Sequence, residues 1–155
     1  MHPAMARAPT ADCPLALGSD HAAFTVKERL LAWLRGRGVP CLDLGTHSAE
    51  RTDYPAYGRR VAEAVAGGGC ARGMLFCGTG IGISIAANRV KGARASLCWS
   101  VETARLTRDH NDSNILVLPA RVPTIDPLED IAAMWLETPY SGNPSYSARL
   151  GMLDA

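Results

Sequence analysis

The residues best suited to chemistry lie in one glycine-rich segment, in which a cysteine stands directly before three alternating glycines. Glycines at this spacing let successive backbone N–H groups converge on an anion, and the positive end of a following helix adds to the attraction. The alternative is a plain tight turn between a strand and a helix. Three glycines within five residues favour an anion-binding loop. The segment consists of Cys77, Gly78, Thr79, Gly80, Ile81 and Gly82.

Two common phosphate-binding motifs do not fit this loop. A dinucleotide-binding fingerprint counted from Gly78 requires glycine at position 83, which is Ile83, and it belongs after the first strand rather than the third. A P-loop requires a Lys-Ser/Thr pair, which does not follow these glycines. We therefore expect no dinucleotide cofactor.

Cys77 itself has two interpretations. Free cysteine is usually a small buried hydrophobe, and we apply that interpretation to Cys41, Cys70 and Cys98. Cys77 instead stands at a strand end facing a predicted helix N-terminus, an environment that favours the thiolate. Its position does not separate a nucleophile, for which His21 could be the general base, from a base that transfers protons.

Two further polar segments are candidates. Asp20 and His21 follow the first predicted strand, where His21 could bind an anion or shuttle a proton, and where Asp20 could instead cap a helix. The segment 110–114 lies before the last predicted strand, at the opposite edge of the sheet. It is either a polar turn or, in a two-fold dimer, a means for His110 to reach the partner chain's site.

The elements that must position these residues alternate along the chain. Short apolar runs without polar alternation are separated by helix-period segments, which is typical of a parallel sheet covered on both faces. We predict an α/β fold with a single doubly wound sheet of about five strands and helices on both faces. In such sheets ligands bind beyond the carboxyl ends of the strands. The predicted strands are Leu15–Gly18, Val39–Leu44, Met74–Cys77, Ala93–Cys98 and Asn114–Leu118, and the predicted helices are Phe24–Arg37, Tyr57–Val65, a segment ending at Asn88, Val101–Asp109 and Leu128–Trp135.

Length and composition narrow the function classes. A chain of 155 residues predicts one domain, and a formal net charge of +1 argues against nucleic-acid binding. The longest stretch without charge, Gly73–Asn88, is 16 residues long, whereas a membrane span needs about 18. Five scattered cysteines without a C-x-x-C pair indicate neither a disulfide framework nor a zinc site. We expect a cytoplasmic protein without a metal.

We expect residues 1–12 to form a flexible extension and residues 13–155 to form the domain. The tail from Pro139 contains Gly142, Asn143 and Pro144, and this composition predicts a loop with at most a final helical turn.

Four segments, in the order in which they occur along the chain, resemble motifs of the type B ribose-5-phosphate isomerase family, which includes galactose-6-phosphate isomerase subunits. They are Ser19–His21, Glu50–Pro55, Cys77–Asn88 and His110–Asp112. The resemblance covers about residues 15–135. It implies a Rossmann-like domain, a homodimer or tetramer with active sites built from two chains, a tail that packs on the partner subunit, and aldose–ketose isomerisation of a sugar phosphate without a metal or cofactor.

The resemblance also implies residue roles. Cys77 would be the base that moves a proton between C2 and C1 of the open-chain sugar, Thr79 would assist transfer between O1 and O2, and His110 would help to open the ring. The backbone of Gly78–Gly82 would hold the enediolate oxygens. Hydroxyl groups would be positioned by Asp20, Tyr54 and Asn111, and the phosphate would be bound by His21, Arg121 and Arg149.

The tail departs from the family pattern. Ribose-phosphate members carry two arginines there about one helical turn apart, whereas the stretch Pro144–Arg149 contains only Arg149. The loss of one charge-assisted contact costs about 1.5–3 kcal/mol. The expected substrate is ribose 5-phosphate, converted to ribulose 5-phosphate. The alternatives are allose 6-phosphate, galactose 6-phosphate, a tetrose phosphate or an unphosphorylated sugar.

Two other classes of function stay open. One is a catalytically silent module that binds a sugar phosphate or a nucleotide, against which the presence of Cys77, Thr79 and His110 argues. The other is a thiol hydrolase or transferase in which Cys77 is the nucleophile.

Overall fold

The computed structural model describes residues 6–155 and shows one sheet of five parallel strands. The strands are β1 (Leu15–Ser19), β2 (Cys41–Asp43), β3 (Arg72–Cys77), β4 (Ala95–Leu97) and β5 (Ile115–Pro119). Their order in the sheet is β2-β1-β3-β5-β4. All four pairs of neighbouring strands are parallel. The predicted α/β fold with a doubly wound parallel sheet is confirmed.

Six α-helices cover the sheet or border it. They are α1 (Phe24–Gly36), α2 (Tyr54–Ala66), α3 (Ile81–Asn88), α4 (Val101–Asn111), α5 (Leu128–Glu137) and α6 (Pro144–Leu153). Helices α1, α4 and α5 contribute to one buried cluster, whereas α2 and α3 contribute to a second cluster. Because these clusters lie on opposite faces of the sheet, the three central strands are buried along their whole length.

Strand β3 shows how the two faces are divided. Met74 and Phe76 belong to the cluster beneath α1 and α5, whereas Leu75 and Cys77 belong to the cluster beneath α2 and α3. This alternation follows from the two-residue period of a strand. It directs the Cys77 side chain toward the face on which α3 begins.

Two glycines allow α2 to approach the sheet closely. A Cβ atom on Gly18 would lie 2.7 Å from Val61 Cγ2, and a Cβ on Gly73 would lie 2.6 Å from Val61 Cγ1. Side chains at these two positions would therefore push Val61 and its helix away from the sheet. The close approach fixes the position of α2, whose first residue is Tyr54.

The structure differs from the sequence predictions at the sheet edges and in the tail. Strands β2 and β4 are shorter than predicted, because each is an edge strand that pairs on one side only. The prediction of a loop from residue 139 is wrong for residues 144–153, which form α6. Pro144 occupies the start of this helix, where its missing N–H costs nothing. Asn143 caps the helix by accepting a hydrogen bond from Ser145 N–H at 2.9 Å.

A buried charge cluster closes the amino edge of the sheet. Arg108, of which 1% is exposed, donates to Asp112 Oδ1 at 2.8 Å and to the Ser113 carbonyl at 2.6 Å. Arg94 donates to the other carboxylate oxygen of Asp112 at 3.2 Å. Burial lowers the pKa of Arg108, while the neighbouring Asp112 carboxylate acts in the opposite direction.

The described part of the predicted extension contacts this charge cluster. The N–H of Ala6 donates to the Asp112 carboxylate at 3.2 and 3.3 Å, and the carbonyl of Ala6 accepts from Arg72 at 3.2 Å. Residues 1–5 of the extension lie outside the described residues.

We expect the substitution Asp112→Asn to destabilise the protein by about 3 kcal/mol, because it leaves the charge of buried Arg108 without its carboxylate partner. Asparagine keeps the side-chain shape and tolerates the left-handed backbone at this position, where φ is +44°. Urea denaturation measures the loss. The matched control is Arg29→Gln, which breaks a surface pair with Glu129 and costs under about 1 kcal/mol. Equal losses in both variants would contradict the prediction.

Candidate active site

The sheet topology places a crevice between the carboxyl ends of β1 and β3. The two strands are neighbours, and the strands that follow them along the chain lie on opposite sides: β2 lies beside β1, and β4 lies on the far side of β3, with β5 between them. Connections that leave in opposite directions open a crevice at this point, where ligands bind in doubly wound sheets. Asp20 follows β1, and the glycine loop that begins at Gly78 follows β3.

The Cys77 thiol lies beneath the N-terminus of α3. Its Sγ accepts a hydrogen bond from Gly80 N–H at 3.2 Å, and 4% of the residue is exposed. Thr79 Oγ1 accepts from Ile81 N–H at 3.2 Å. The first N–H groups of a helix have no partner inside it and point out of its positive end. The thiol therefore lies at the N-terminus of α3, with one loop N–H on its sulfur.

The loop requires glycine at two points. Gly80 has a left-handed backbone, with φ of +79°, and a Cβ there would overlap Leu97 Cδ1. At Gly82 a Cβ would lie 2.5 Å from Tyr54 Cζ, so the tyrosine ring rests against the first turn of α3. Tyr54 is partly exposed and thereby forms a wall of the crevice.

Asp20 and His21 are held at the end of β1. The carboxylate of Asp20 accepts from Ala23 N–H at 3.2 Å, so the capping interpretation is correct. His21 Nδ1 lies 3.0 Å from the Thr52 carbonyl oxygen and 3.2 Å from the Thr52 nitrogen. Thr52 Oγ1 also accepts from His21 N–H at 3.1 Å. These contacts occupy Nδ1 and leave Nε2 as the nitrogen available to a ligand.

The segment after β5 joins the same edge. The N–H of Arg121 donates to the Gly78 carbonyl at 2.8 Å, and the N–H of Ala120 donates to the Cys77 carbonyl at 2.9 Å. The Arg121 side chain passes the loop, with its Cδ 3.6 Å from where a Cβ on Gly78 would stand. Within residues 6–155 Arg121 has no ion-pair partner, so its charge is available beside the anion-binding loop.

Three of the predicted site residues lie at the other edge of the sheet. His110 and Asn111 end α4, just before β5 begins, and Arg149 lies on α6. Tyr146 Oη lies 3.2 Å from His110 Nε2, and the Arg149 guanidinium lies 6.0 Å from the centre of the Tyr146 ring. Within one chain the other ten predicted site residues therefore lie at the carboxyl edge of the sheet, and these three lie away from them.

Sequence reasoning missed two residues that position others. Thr52 holds His21, and its only signal was its place in the segment Glu50–Pro55. Tyr146 contacts His110, and it was missed because the tail was predicted to be a loop.

Three other cysteines lie in surroundings that disfavour the charged form of a thiol. Burial raises the pKa of the Cys41 thiol to about 11 and that of the Cys98 thiol to about 12, and it raises that of Cys70. Cys70 and Cys98 are buried, as predicted, whereas Cys41 is only partly buried. In the described part of the chain no group of three or more His, Cys, Asp or Glu side chains is arranged to hold a metal ion. Over the same residues, no helix combines the length and the apolar character needed to cross a membrane.

Fold and site together define a doubly wound α/β protein with a buried thiol beneath a helix N-terminus at the carboxyl edge of its sheet. Residues 15–153 match the family model described as Ribose/Galactose Isomerase. Ribose-5-phosphate isomerase B of Escherichia coli K12 is 48% identical over 83% of this chain and 86% of that protein. Galactose-6-phosphate isomerase subunit LacB of Clostridium acetobutylicum is 37% identical over 81% of this chain and 73% of that protein.

Solved structures agree with these sequence matches. The Clostridium thermocellum ribose-5-phosphate isomerase B superposes with a TM-score of 0.88 at 44% identity, covering 91% of this chain and 95% of that one. The Trypanosoma brucei type B enzyme gives 0.87 at 41% identity, covering 92% and 97%. The chain belongs to the ribose/galactose isomerase family, and it is an aldose–ketose isomerase.

We expect Gly80→Ala to destabilise the protein by about 2–3 kcal/mol, because alanine is strained at positive φ and its methyl group overlaps Leu97. Gly78→Ala is the matched control: its methyl group would meet Arg121 Cδ at an ordinary 3.6 Å, and we expect a change within about 0.5 kcal/mol. Thermal denaturation of both variants measures the difference. A stable Gly80→Ala variant would show that the loop does not depend on the left-handed residue.

Proposed function

We propose that this enzyme interconverts ribose 5-phosphate and ribulose 5-phosphate by proton transfer at Cys77. The observation that carries the proposal is the contact of the Cys77 thiol with Gly80 N–H at the N-terminus of α3. It places a base and a set of hydrogen-bond donors at one end of the crevice. The name of the Escherichia coli relative, ribose-5-phosphate isomerase B, supports this choice of substrate.

The proposed reaction moves one proton between two carbons. The Cys77 thiolate removes the proton from C2 of the open-chain aldose, and the electron pair of that bond shifts to give an enediolate. The thiol then returns the proton to C1. The N–H groups at the start of α3 stabilise the charge that develops on the oxygens, and a single such donor is typically worth about 10²–10³ in rate.

Thr79 is suited to the accompanying transfer between O1 and O2. Its Oγ1 already accepts from Ile81 N–H at 3.2 Å, and its hydroxyl hydrogen is left to donate to a sugar oxygen. The hydroxyl can therefore pass a proton from one oxygen to the other while its own oxygen stays fixed.

Substrate binding uses both ends of the crevice. His21, whose Nδ1 is engaged by Thr52, presents Nε2 to the phosphate, and Arg121 adds a positive charge. Asp20 and Tyr54 line the space between them and position hydroxyl groups. Arg149 and Asn111 complete the site from a second chain.

The second chain is required because of where His110 lies. His110 is at the amino edge of its own sheet, whereas Cys77 is at the carboxyl edge. We therefore propose a homodimer in which His110 of one chain opens the sugar ring at the other chain's Cys77. Exposed apolar side chains beside the crevice support a partner surface there: 54% of Ile81, 54% of Ile85 and 49% of Trp99 are exposed.

A second substrate has a specific observation in its favour. The LacB relative is a galactose-6-phosphate isomerase subunit, and the tail of this chain has Arg149 without a second arginine in the stretch 144–149. Galactose 6-phosphate is therefore the second candidate. We also propose a cytoplasmic location, which the free cysteines suit because such compartments are reducing.

Proton NMR in D₂O tests the substrate and the base together. We expect ribose 5-phosphate to gain deuterium at C2 as ribulose 5-phosphate forms. The substitution Cys77→Ala should reduce this exchange at least about 100-fold, because no other base reaches C2. Cys70→Ala, which removes a buried thiol away from the crevice, serves as the control for loss of a cysteine.

The same experiment separates the alternatives. The measurement is repeated with a panel of other sugars: galactose 6-phosphate, allose 6-phosphate, erythrose 4-phosphate, and unphosphorylated ribose and allose. Deuterium exchange with only one of these sugars would show that this sugar, and not ribose 5-phosphate, is the substrate. Binding without exchange across the panel would indicate a silent module, and a covalent adduct on Cys77 in mass spectrometry would indicate a nucleophile. Wild-type exchange in Cys77→Ala would exclude this cysteine as the base.

A heterodimer tests the shared site. We expect a purified heterodimer of one Cys77→Ala chain and one His110→Ala chain to recover about half of the wild-type activity, because one of its two sites then contains both residues. Differently tagged chains allow its isolation. Each homodimer serves as a control and should stay impaired. Failure of the heterodimer to exceed both homodimers would contradict a site built from two chains.

A further inference from the structure

We propose that Tyr146 is a positioning residue for His110. Its phenol fixes the tautomer of the His110 imidazole and thereby decides which ring nitrogen meets the sugar. This inference rests on the proposed function, in which His110 opens the sugar ring, and it assigns a role to a tail residue in that step.

Two contacts join the side chains of Tyr146 and His110. Tyr146 Oη lies 3.2 Å from His110 Nε2, and the two ring centres are 4.3 Å apart at an interplanar angle of 36°. The side chain of His110 is 37% exposed. The phenol therefore engages one nitrogen and part of one face, while the rest of the imidazole remains open to a ligand.

The tail holds Tyr146 firmly in this position. Tyr140 Oη pairs with Ser147 Oγ at 2.8 Å, and Ser141 Oγ donates to the Asp109 carbonyl at 2.9 Å. Leu150, of which 2% is exposed, anchors the same helix. The tail is thus tied at Asp109 to the end of α4, one residue before His110, and the geometry between tyrosine and histidine is built by both elements.

The nearest charged group cannot replace the phenol. Asp109 Oδ2 lies 3.5 Å from His110 Nε2, and Arg105 Nη1 lies 3.6 Å from the same carboxylate oxygen. A carboxylate can only accept, so it favours the tautomer with a proton on Nε2. The nearer phenol can donate to the lone pair of a neutral Nε2, which leaves the proton on Nδ1.

This tautomer has a direct consequence for ring opening. Nδ1–H of His110 can give its proton to the ring oxygen as the bond between that oxygen and C1 breaks. In the same concerted step the anomeric hydroxyl gives its proton to Nδ1, so that no imidazolate forms, and the electron pair of its O–H bond forms the carbonyl. The imidazole again carries its proton on Nδ1 at the end of the step, so no other acid or base is needed.

Two-bond ¹H–¹⁵N NMR of the histidine rings tests the tautomer in the intact protein. His110→Asn identifies the signals of His110. We expect the proton on Nδ1 in the wild type and a shift toward the Nε2–H form in Tyr146→Phe, which keeps the ring and removes only the hydroxyl. Ser145→Ala is the matched control, because it removes a hydroxyl of the same helix that bonds to Asn143 Oδ1 and not to His110, and it should leave the tautomer unchanged.

Kinetics tests the consequence for the sugar. Tyr146→Phe should lower kcat/KM about tenfold for ribose 5-phosphate, which is mainly cyclic. Deuterium exchange at C1 of ribulose 5-phosphate, an open-chain ketose, needs no ring opening and should stay within about twofold of the wild type. Ser145→Ala should leave both rates unchanged.

Either of two results would overturn the proposal. One is a Tyr146→Phe variant whose His110 keeps its proton on Nδ1, and the other is an equal loss of isomerisation and exchange, which would indicate general damage to the site. A wild-type protein without any isomerase activity on ribose 5-phosphate would instead overturn the proposed function. The NMR comparison would then still decide whether Tyr146 fixes His110.

Discussion

The hydrogen bond from Gly80 N–H to Cys77 Sγ is the interaction on which the candidate active site depends. It forms because β3 ends at Cys77 on the face where α3 begins and because Gly80 adopts a left-handed backbone between them. The alternation of β3 side chains directs the thiol to this face, and the short loop brings the helix N-terminus over it. The thiol and the N–H groups above it are thus held in place by one turn of chain.

The rest of the fold serves this geometry by bringing other segments to the same edge. The close packing of Val61 on Gly18 and Gly73 fixes α2, which in turn places Tyr54 against the first turn of α3. The segment after β5 bonds to the loop through Arg121. Because these contacts are short and made by backbone or small residues, the crevice has little freedom to change shape.

The amino edge of the sheet is organised by charge rather than by a helix N-terminus. The buried pair of Arg108 and Asp112 closes the end of α4, and α6 packs beside it. His110, Tyr146 and Arg149 form one cluster there. The predicted site residues thus lie in two separate groups at opposite edges of the sheet, and the proposed homodimer would bring the two groups together.

Local features allowed much of the site to be predicted from sequence. Glycine spacing, strand ends and the cap at Asp20 depend on neighbouring residues, so their chemistry follows from the order of the chain. The placement of His110 at the amino edge also follows, because it precedes a strand that must run parallel to the others. The lengths of the edge strands were less predictable, since they depend on which strands happen to lie at the edges of the sheet.

The sequence by itself determined the alternation of strands and helices, the position of Cys77 at the end of a strand and the glycine loop beside it. Only the tertiary structure decided that α6 forms, that Tyr146 meets His110 and that Thr52 holds His21. These contacts join residues 36 and 31 positions apart in the chain. Such pairs are set by how whole elements pack, and no local spacing encodes them, which is the physical reason that they escaped prediction.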